Sequence, residues 1–229
     1  MKKLTTITSL LIALASHGVL RAAPPEPKVI YSQDFSAGND TSELKNSPPT
    51  KGDGVWASVW CGIKTDGTAP FGFCYLPFTP EAGKIYTLSV DIVATGHEGS
   101  WDAMGFQTGG SETAFNSSGA GWQLVNTGGF MEIFSEGKKI AAGRKIGEGT
   151  TVEAESTNTF SVELNTAGPQ WVETFRLNDA TMATHTYTTN PEIQGVGIMT
   201  GSQADQKPGK FSGTFSLTEK PAGKTGGAH

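Results

Sequence analysis

The stretch GKIYTLSVDIV at residues 83–93 decides the fold class of this chain. Apolar side chains occupy every second position from Tyr86 to Ile92, and this period of two predicts a half-buried β-strand. A glycine-bearing loop follows and leads to a second strand at residues 101–107, in which Met104 and Phe106 are the core residues. We expect these two strands to form an antiparallel pair packed on a hydrophobic core.

The remaining sequence continues in the same way, with short apolar-alternating runs separated by turn residues and no amphipathic helix after the N-terminal segment. It gives about twelve strands in all, and the further ones are predicted at 29–35, 54–61, 71–76, 122–125, 130–134, 138–142, 159–164, 171–177, 184–188, 192–199 and 210–217. No fixed repeat is present. The sequence therefore predicts an all-β fold, a two-sheet antiparallel β-sandwich of the jelly-roll kind.

The N-terminal segment has the pattern of a secretory signal peptide. Lys2 and Lys3 are followed by an apolar core at 10–15 and by small residues at Ala22 and Ala23. The apolar core is shorter than the ~20 residues of a membrane-spanning helix, and no second hydrophobic stretch follows. We expect a signal peptide at 1–22, a single sandwich domain at 23–220 and a flexible tail at 221–229, in a secreted or periplasmic bacterial protein without membrane insertion after signal removal.

The charge of the chain limits its partners. The chain has 17 basic and 22 acidic residues, a net charge of −5. The signal segment contains three of the basic residues and no acidic one, so the remainder has 14 against 22 and a net charge of −8. An acidic chain without a basic run argues against nucleic acid or an anionic membrane surface as partner.

The two cysteines, Cys61 and Cys74, are both in the expected mature chain. In an oxidising compartment we expect them to form one disulfide, closing a loop of about 14 residues and contributing about 3 kcal/mol. Two buried thiols are the alternative. A disulfide across a hairpin of 54–61 and 71–76 would place both cysteines on one side, with Trp56, Trp60, Phe73 and Tyr75 on the other. That aromatic side is either part of the core or an exposed platform, and the area it would bury favours the core.

The second strand of the opening pair offers a further candidate site. Trp101 faces away from Met104 and Phe106 and shares its side with Gln107, which makes Trp101 the preferred exposed aromatic residue. His97, Glu98 and Asp102 flank the loop before it and could bind a cation or a sugar hydroxyl, although a solvated turn is the simpler interpretation. The candidate ligand-binding residues are Trp101, Gln107, His97, Asp102, Trp60 and Tyr75.

Metal ligands do not form a recognisable pattern. Histidine is sparse in the expected mature chain, so no transition-metal site is predicted. Oxygen ligands for a structural calcium ion could come from aspartates, but they do not follow a calcium-loop spacing. These candidates are Asp40, Asp66, Asp102, Asp179 and Asp205.

The strand patterns at 78–92, 171–178 and 209–217 resemble those of concanavalin A-like, laminin-G-like sandwiches of secreted bacterial proteins and related carbohydrate-binding modules. The resemblance covers nearly the whole mature chain. It implies a jelly roll whose members include sugar-binding modules, adhesion modules, glucanases and lyases, so the fold alone does not fix the function.

The catalytic motifs of these relatives are not found. Laminarinase-like glycosidases have Glu-x-Asp-x-x-Glu on one strand, whereas the nearest acidic clusters here are Glu153, Glu155 and Glu163. Arg176, His185 and Tyr187 only partly resemble the lyase pattern. We therefore expect a secreted, non-catalytic module without a cofactor that binds a polysaccharide or cell-surface glycan. The alternatives are a structural or adhesive envelope or matrix protein and a divergent glycoside hydrolase or polysaccharide lyase.

Overall fold

The architecture comes from a computed structural model. It describes residues 25–36, 42–58, 62–68, 71–93, 100–108, 120–126, 130–141, 157–202 and 210–223. This part of the chain is all β, and its twelve strands confirm the predicted class. They are β1 (Lys28–Asp34), β2 (Phe71–Pro77), β3 (Lys84–Val93), β4 (Ser100–Thr108), β5 (Trp122–Asn126), β6 (Phe130–Ser135), β7 (Lys138–Ala141), β8 (Thr157–Asn165), β9 (Val172–Leu177), β10 (Ala180–Thr186), β11 (Ile193–Ser202) and β12 (Lys210–Pro221).

The strands form two six-stranded sheets with antiparallel pairing throughout. The first sheet has the order β1-β12-β3-β8-β9-β10, and the second has the order β2-β11-β4-β5-β6-β7. In each sheet a late strand lies between two early ones. Local hairpins account for the other half of each sheet, as predicted for 159–164 with 171–177.

The strands β3 and β4, which the sequence predicts to pair with each other, lie in different sheets, and this corrects the prediction. β3 bonds to β12 and β8 in the first sheet, whereas β4 bonds to β11 and β5 in the second. Alternation shows that a strand buries one face, but two strands of facing sheets bury their faces just as well as two neighbours. The chain therefore changes sheets between Val93 and Ser100.

A single large core lies between the inner faces of the two sheets. The first sheet contributes residues such as Leu88 and Val90, and the second contributes Met104, Phe106 and Ile198. This alternation of buried and half-buried positions along β3 is the pattern that the sequence predicts. Burial at about 25 cal/mol per Å² of apolar surface is the main stabilising contribution of such a core.

Two tight turns explain the hairpins at the ends of both sheets. Asn178 and Asp179 between β9 and β10 both have positive φ, at 46° and 67°. Glu136 and Gly137 between β6 and β7 do the same, at 50° and 67°. Two successive residues with positive φ are the hallmark of the type I′ turn, whose twist matches that of paired strands.

The predicted strand at 54–61 is a second correction. Residues 55–58 form no strand, and Ala57 meets Tyr75 only through an isolated β-bridge. Trp56 lies fully buried in the main core against Phe215, with ring centroids 5.3 Å apart, and its indole N–H donates to Gln33 Oε1 at 3.1 Å. It therefore does not share a side with Phe73 and Tyr75.

Among the described residues no helix has the length and apolarity needed to cross a membrane.

Candidate functional site

The outer face of the second sheet contains a row of residues that crosses all six strands. Strand registers place these residues directly side by side from β2 through β11, β4, β5 and β6 to β7, in the order Tyr75, Gly197, Gly105, Trp122, Phe134 and Lys139. Side chains of alternate residues point to one face, so the ring-bearing members of this row lie on the side away from the main core. We call this surface the aromatic face.

Glycines leave the space in which the aromatic rings lie against the sheet. A Cβ atom on Gly201 would be 2.5 Å from Cζ2 of Trp101, and one on Gly105 would be 2.5 Å from Cγ of Trp122. One on Gly197 would be 3.1 Å from a ring carbon of Phe73 and 3.2 Å from Cη2 of Trp122. The indole rings therefore occupy space that side chains fill on an ordinary strand.

The aromatic face has a buried floor and partly accessible rings above and around it. Trp122 has no exposed surface, and it packs with Phe73, Ala103 and Met199 in a cluster separate from the main core. Phe73 stacks on Tyr75 with centroids 5.7 Å apart and tilts towards Trp122 at 6.0 Å. The half-buried residues of the same cluster are Tyr75, Trp101 and Phe134. Apolar ring surface is thus accessible at three places beside a buried cluster.

One edge of the aromatic face has a charged pair. Lys139 of β7 forms a salt bridge with Glu132 of β6, and its ammonium group lies 5.8 Å from the centroid of the Phe134 ring. The Lys139 side chain is exposed and that of Glu132 is half-buried. A carboxylate and an ammonium beside an aromatic ring provide acceptors and donors for hydroxyl groups of a ligand lying on that ring.

Three of the predicted ligand-binding residues lie on this face. Trp101, Gln107 and Tyr75 share it, and Met104 and Phe106 face the main core on the opposite side of β4, as the sequence predicts. Trp101 is half-buried rather than exposed. Gln107 is only 1% exposed, and its amide nitrogen donates to the Thr108 carbonyl at 3.4 Å, so it presents no exposed donor to a ligand. His97 and Trp60 lie outside the described residues.

Asp102 has a different environment from the one predicted for a loop-flanking ligand. It is fully buried, and its position next to Trp101 in the alternation places it on the inner face of the second sheet. Thr200 lies directly across from it on β11. Burial raises the pKa of Asp102 to about 7, and the nearby Thr200 hydroxyl lowers this pKa only in part. The hydroxyl and the carboxyl group do not form a hydrogen bond of normal geometry. Asp102 has no surface with which to contact a ligand on the aromatic face.

Neither a disulfide nor a metal site is present among the described residues. Cys74 faces the main core and is fully buried, while Cys61 lies outside the described residues, so the disulfide stays a prediction. Asp40 and Asp205 also lie outside them. Within the part of the chain that the structure describes, no group of three or more metal-ligating side chains is found. Asp66 accepts hydrogen bonds from the backbone and hydroxyl of Thr68, which gives it a turn-capping role.

The residues that partly resemble a lyase pattern do not form one site. Arg176 lies on the outer face of the first sheet, where its guanidinium is 3.6 Å from Glu163. Tyr187 is buried in the main core and packs edge-to-face with His185, with ring centroids 4.8 Å apart, and His185 lies 3.3 Å from Glu136. Arg176 is therefore the residue that lies apart from the other two.

A buried polar cluster that is absent from the sequence predictions connects the two sheets. Glu173 of β9 is fully buried; its Oε1 accepts the backbone N–H of Gly121 at 3.1 Å, and its Oε2 accepts the Tyr187 hydroxyl at 2.5 Å. Ser135 donates in turn to the Tyr187 oxygen at 3.1 Å. Burial raises the pKa of Glu173 to about 7 against the opposing effect of these hydrogen bonds, and burial beside Glu173 raises the pKa of Tyr187.

Comparison with solved structures supports the class of fold. An endo-1,3-beta-glucanase from Streptomyces sioyaensis is similar over 88% of this chain and 100% of its own, with a TM-score of 0.56 and 14% identity. The Emp47p carbohydrate recognition domain (TM-score 0.47, 9% identity, 84% and 95% covered) and the carbohydrate binding module CBM66 from Bacillus subtilis (0.41, 12%, 82% and 99%) are more distant. Neither a protein-family model nor a curated protein sequence matches the chain.

The protein is thus a jelly-roll sandwich of the concanavalin A-like kind. This confirms the fold that the strand patterns resemble. A glucanase of similar fold at 14% identity shows the fold alone and does not decide the function.

Proposed function

We propose that the chain is a secreted, non-catalytic module that binds a glycan on the aromatic face. The observation that carries this proposal is the set of three half-buried rings, Tyr75, Trp101 and Phe134, on a floor that contains the fully buried Trp122. Sugar rings present apolar C–H surfaces that stack on aromatic rings, while their hydroxyl groups need hydrogen-bonding partners at the margin. A rigid aromatic support with a charged edge provides both.

The described carboxyl groups favour binding over hydrolysis. Hydrolysis of a glycosidic bond generally needs two carboxyl groups on either side of the bond. On the described strands of the aromatic face Glu132 is the one acidic residue, and it is paired with Lys139. Asp102 and Glu173 are fully buried on the inner side. A hydrolase remains the alternative, and the release of reducing sugar would reveal it.

The probe for the first binding experiment follows from the glucanase. Its name states that it acts on 1,3-β-glucan, and this chain has a similar fold over most of its length. Laminarin, a soluble 1,3-β-glucan, is therefore the first ligand to titrate by calorimetry, within a panel that contains mannan, xylan, levan and cellulose oligomers. Saturable binding to one member without an increase in reducing ends is the expected result.

A matched pair of tryptophan variants tests the location of the site. Trp101→Ala removes a half-buried ring from the aromatic face, and Trp171→Ala removes a half-buried ring that packs on the main core elsewhere. We expect about tenfold weaker binding or more for the first variant, equivalent to about 1.4 kcal/mol, and a change below twofold for the second. Equal losses in both, or no binding to any glycan of the panel, would overturn the proposal and favour a structural or adhesive role.

Export and the disulfide belong to the same proposal. We expect cleavage after the signal peptide at about residue 22, followed by pairing of Cys61 with Cys74 in the oxidising compartment. Intact-mass measurement of protein from the periplasm or medium, before and after reduction and alkylation, gives both answers. An uncleaved N-terminus, or two thiols that alkylate without reduction, would contradict this part of the proposal.

A further inference from the structure

We propose that Glu173 and Tyr187 form a clamp that positions the aromatic face from inside the sandwich. This inference rests on the proposed function and adds positioning residues to the same site. The clamp residues belong to the first sheet or adjoin its last strand. Of the two residues that they hold, Ser135 belongs to β6 of the second sheet and Gly121 directly precedes β5. The clamp therefore acts across the core.

The two groups that the clamp holds are direct neighbours of ring-bearing residues. Gly121, whose N–H binds Glu173, precedes Trp122, and Ser135, whose hydroxyl binds Tyr187, follows Phe134. Trp122 and Phe134 lie opposite each other in the β5–β6 register. Successive residues of a strand point to opposite faces, so fixing one backbone position on the inner side fixes the ring beside it on the outer side.

The contact between Glu173 and Gly121 leaves no room for a side chain. A Cβ atom on residue 121 would be 2.0 Å from Oε2 of Glu173 and 2.4 Å from a ring carbon of Phe175. The bonding continues to the indole itself, because Phe106 donates its N–H to the Gly121 carbonyl at 3.1 Å and accepts the Trp122 indole N–H at 2.8 Å. A chain of hydrogen bonds thus joins the carboxyl group to the Trp122 ring.

An apolar core residue at position 173 would be the simpler choice for stability. Burying a carboxyl group costs free energy unless every polar atom is satisfied, and such groups are often no more stabilising than well-packed apolar ones. What hydrogen bonds add is a defined geometry. Here three hydrogen bonds join four chain segments at Glu173 and Tyr187. Two of these segments continue directly into Trp122 and Phe134, the neighbouring rings of the aromatic face.

The conservative variant Glu173→Gln should preserve the clamp. The amide oxygen can still accept from Gly121, the amide N–H can donate to the Tyr187 oxygen, and the Tyr187 hydroxyl can then donate to Ser135. Glu173→Leu removes all of these bonds, and Tyr187→Phe removes those of the phenol alone. Val90→Ala provides a matched control because it creates a small core cavity in the first sheet without touching the clamp.

The test uses the full mature chain labelled with 5-fluorotryptophan, with the Trp122 resonance assigned through Trp122→Phe. Without ligand we expect one sharp Trp122 line in the unsubstituted protein, Glu173→Gln and Val90→Ala, and a shifted or broadened line in Glu173→Leu and Tyr187→Phe. Laminarin affinity, or that for the bound member of the panel, should fall about tenfold in the last two variants only. If Glu173→Leu does not fold, Tyr187→Phe decides the question.

The two proposals can fail separately. A Trp122 line that is unchanged in a folded clamp variant whose stability has fallen would show that the cluster is merely structural and would overturn the inference. A shifted Trp122 line in a protein that binds no glycan would support the clamp and reject the proposed function. An affinity that falls equally in Val90→Ala would also overturn the clamp, because general destabilisation would then explain the loss.

Discussion

The two sheets share a core, but their outer faces have opposite chemistry. On the first sheet a row in direct register crosses five strands and consists of Ser32, Ser216, Ser89, Ser161 and Arg176. On the second sheet the corresponding row contains Tyr75, Trp122 and Phe134. Hydroxyl groups are well hydrated and suit strands, whereas tryptophan on an outer face is unusual. Both sheets show the same alternation of buried and outward-facing residues. The residue types on the outer faces are what distinguish the aromatic face, where we propose binding, from the outer face of the first sheet.

The largest expected effect comes from the floor of the aromatic face. Trp122→Ala removes a fully buried indole and its hydrogen bond to Phe106, so we expect a loss of about 3–5 kcal/mol in the free energy of unfolding. Trp122→Phe, which retains a ring, should lose less. Urea denaturation measures both values. A loss below about 1 kcal/mol for the alanine variant would mean that the indole is not part of a second core.

The next effect is a dependence of stability on pH that originates on the inner side of the second sheet. The pKa of Asp102 is raised from 3.8 to about 7 by burial. Between these values the folded state holds a proton that the unfolded state has released, so stability should fall as pH rises from about 4 through 7. At about 1.4 kcal/mol for each pKa unit the change amounts to a few kcal/mol.

The variant Asp102→Asn removes this ionisation. It should be more stable than the unsubstituted protein at pH 8 and should show a shallower pH dependence. Glu173 has a raised pKa with the same sign, so Glu173→Gln should flatten part of what remains. Thermal unfolding at pH 5, 6, 7 and 8 provides the comparison. An unchanged slope in Asp102→Asn would place the titrating group elsewhere.

A smaller effect is expected where Trp101 lies over its glycine. The new methyl group of Gly201→Ala would be 2.5 Å from the indole, so the ring must move, at a cost of about 1–3 kcal/mol. Gly223→Ala serves as the control because nothing lies within 4 Å of its added carbon. Denaturation and tryptophan fluorescence report the two consequences. Identical emission and stability in both variants would show that Trp101 does not rest on Gly201.

The smallest effect belongs to the hydroxyl face of the first sheet. Ser89 and Ser216 share a hydrogen bond of 2.9 Å between half-buried side chains. Ser89→Ala should change the free energy of unfolding by no more than about 0.5 kcal/mol and should leave glycan binding unchanged. A loss similar to that of Trp122→Ala would remove the contrast between the two faces.

Much of the fold follows from the sequence because alternation records burial directly. The residues of β3 that the pattern assigns to the core are buried, and Trp101 and Met104 lie on opposite faces of β4 as expected. The neighbouring strand with which each strand pairs is harder to predict. β3 and β4 are adjacent in the chain yet lie in different sheets, because the hydrogen-bonding partner of each is a distant strand that alternation does not identify.

The two buried acids, Glu173 and Asp102, have a recognisable signal in the sequence. Glu173 occupies the same side of its strand as Phe175 and Leu177, and Asp102 shares its side with Met104 and Phe106. A charged residue on the side of a strand that is otherwise apolar predicts either a surface strand or a buried polar contact. Only the three-dimensional structure shows that Gly121 approaches closely enough to bind Glu173. For Trp56, the sequence could not show that a segment outside the sheets inserts its ring into the core.

The position of the last two strands has a consequence for folding. β11 lies between β2 and β4, and β12 lies between β1 and β3, so each sheet has an internal gap until residues beyond 190 have been synthesised. A topology with so many distant pairings folds slowly, because long loops must close before contacts form. A nascent chain that stays unfolded until its end emerges would remain able to pass an export channel, as the proposed secretion requires. Truncation before β11 should therefore give an insoluble product rather than a smaller folded one.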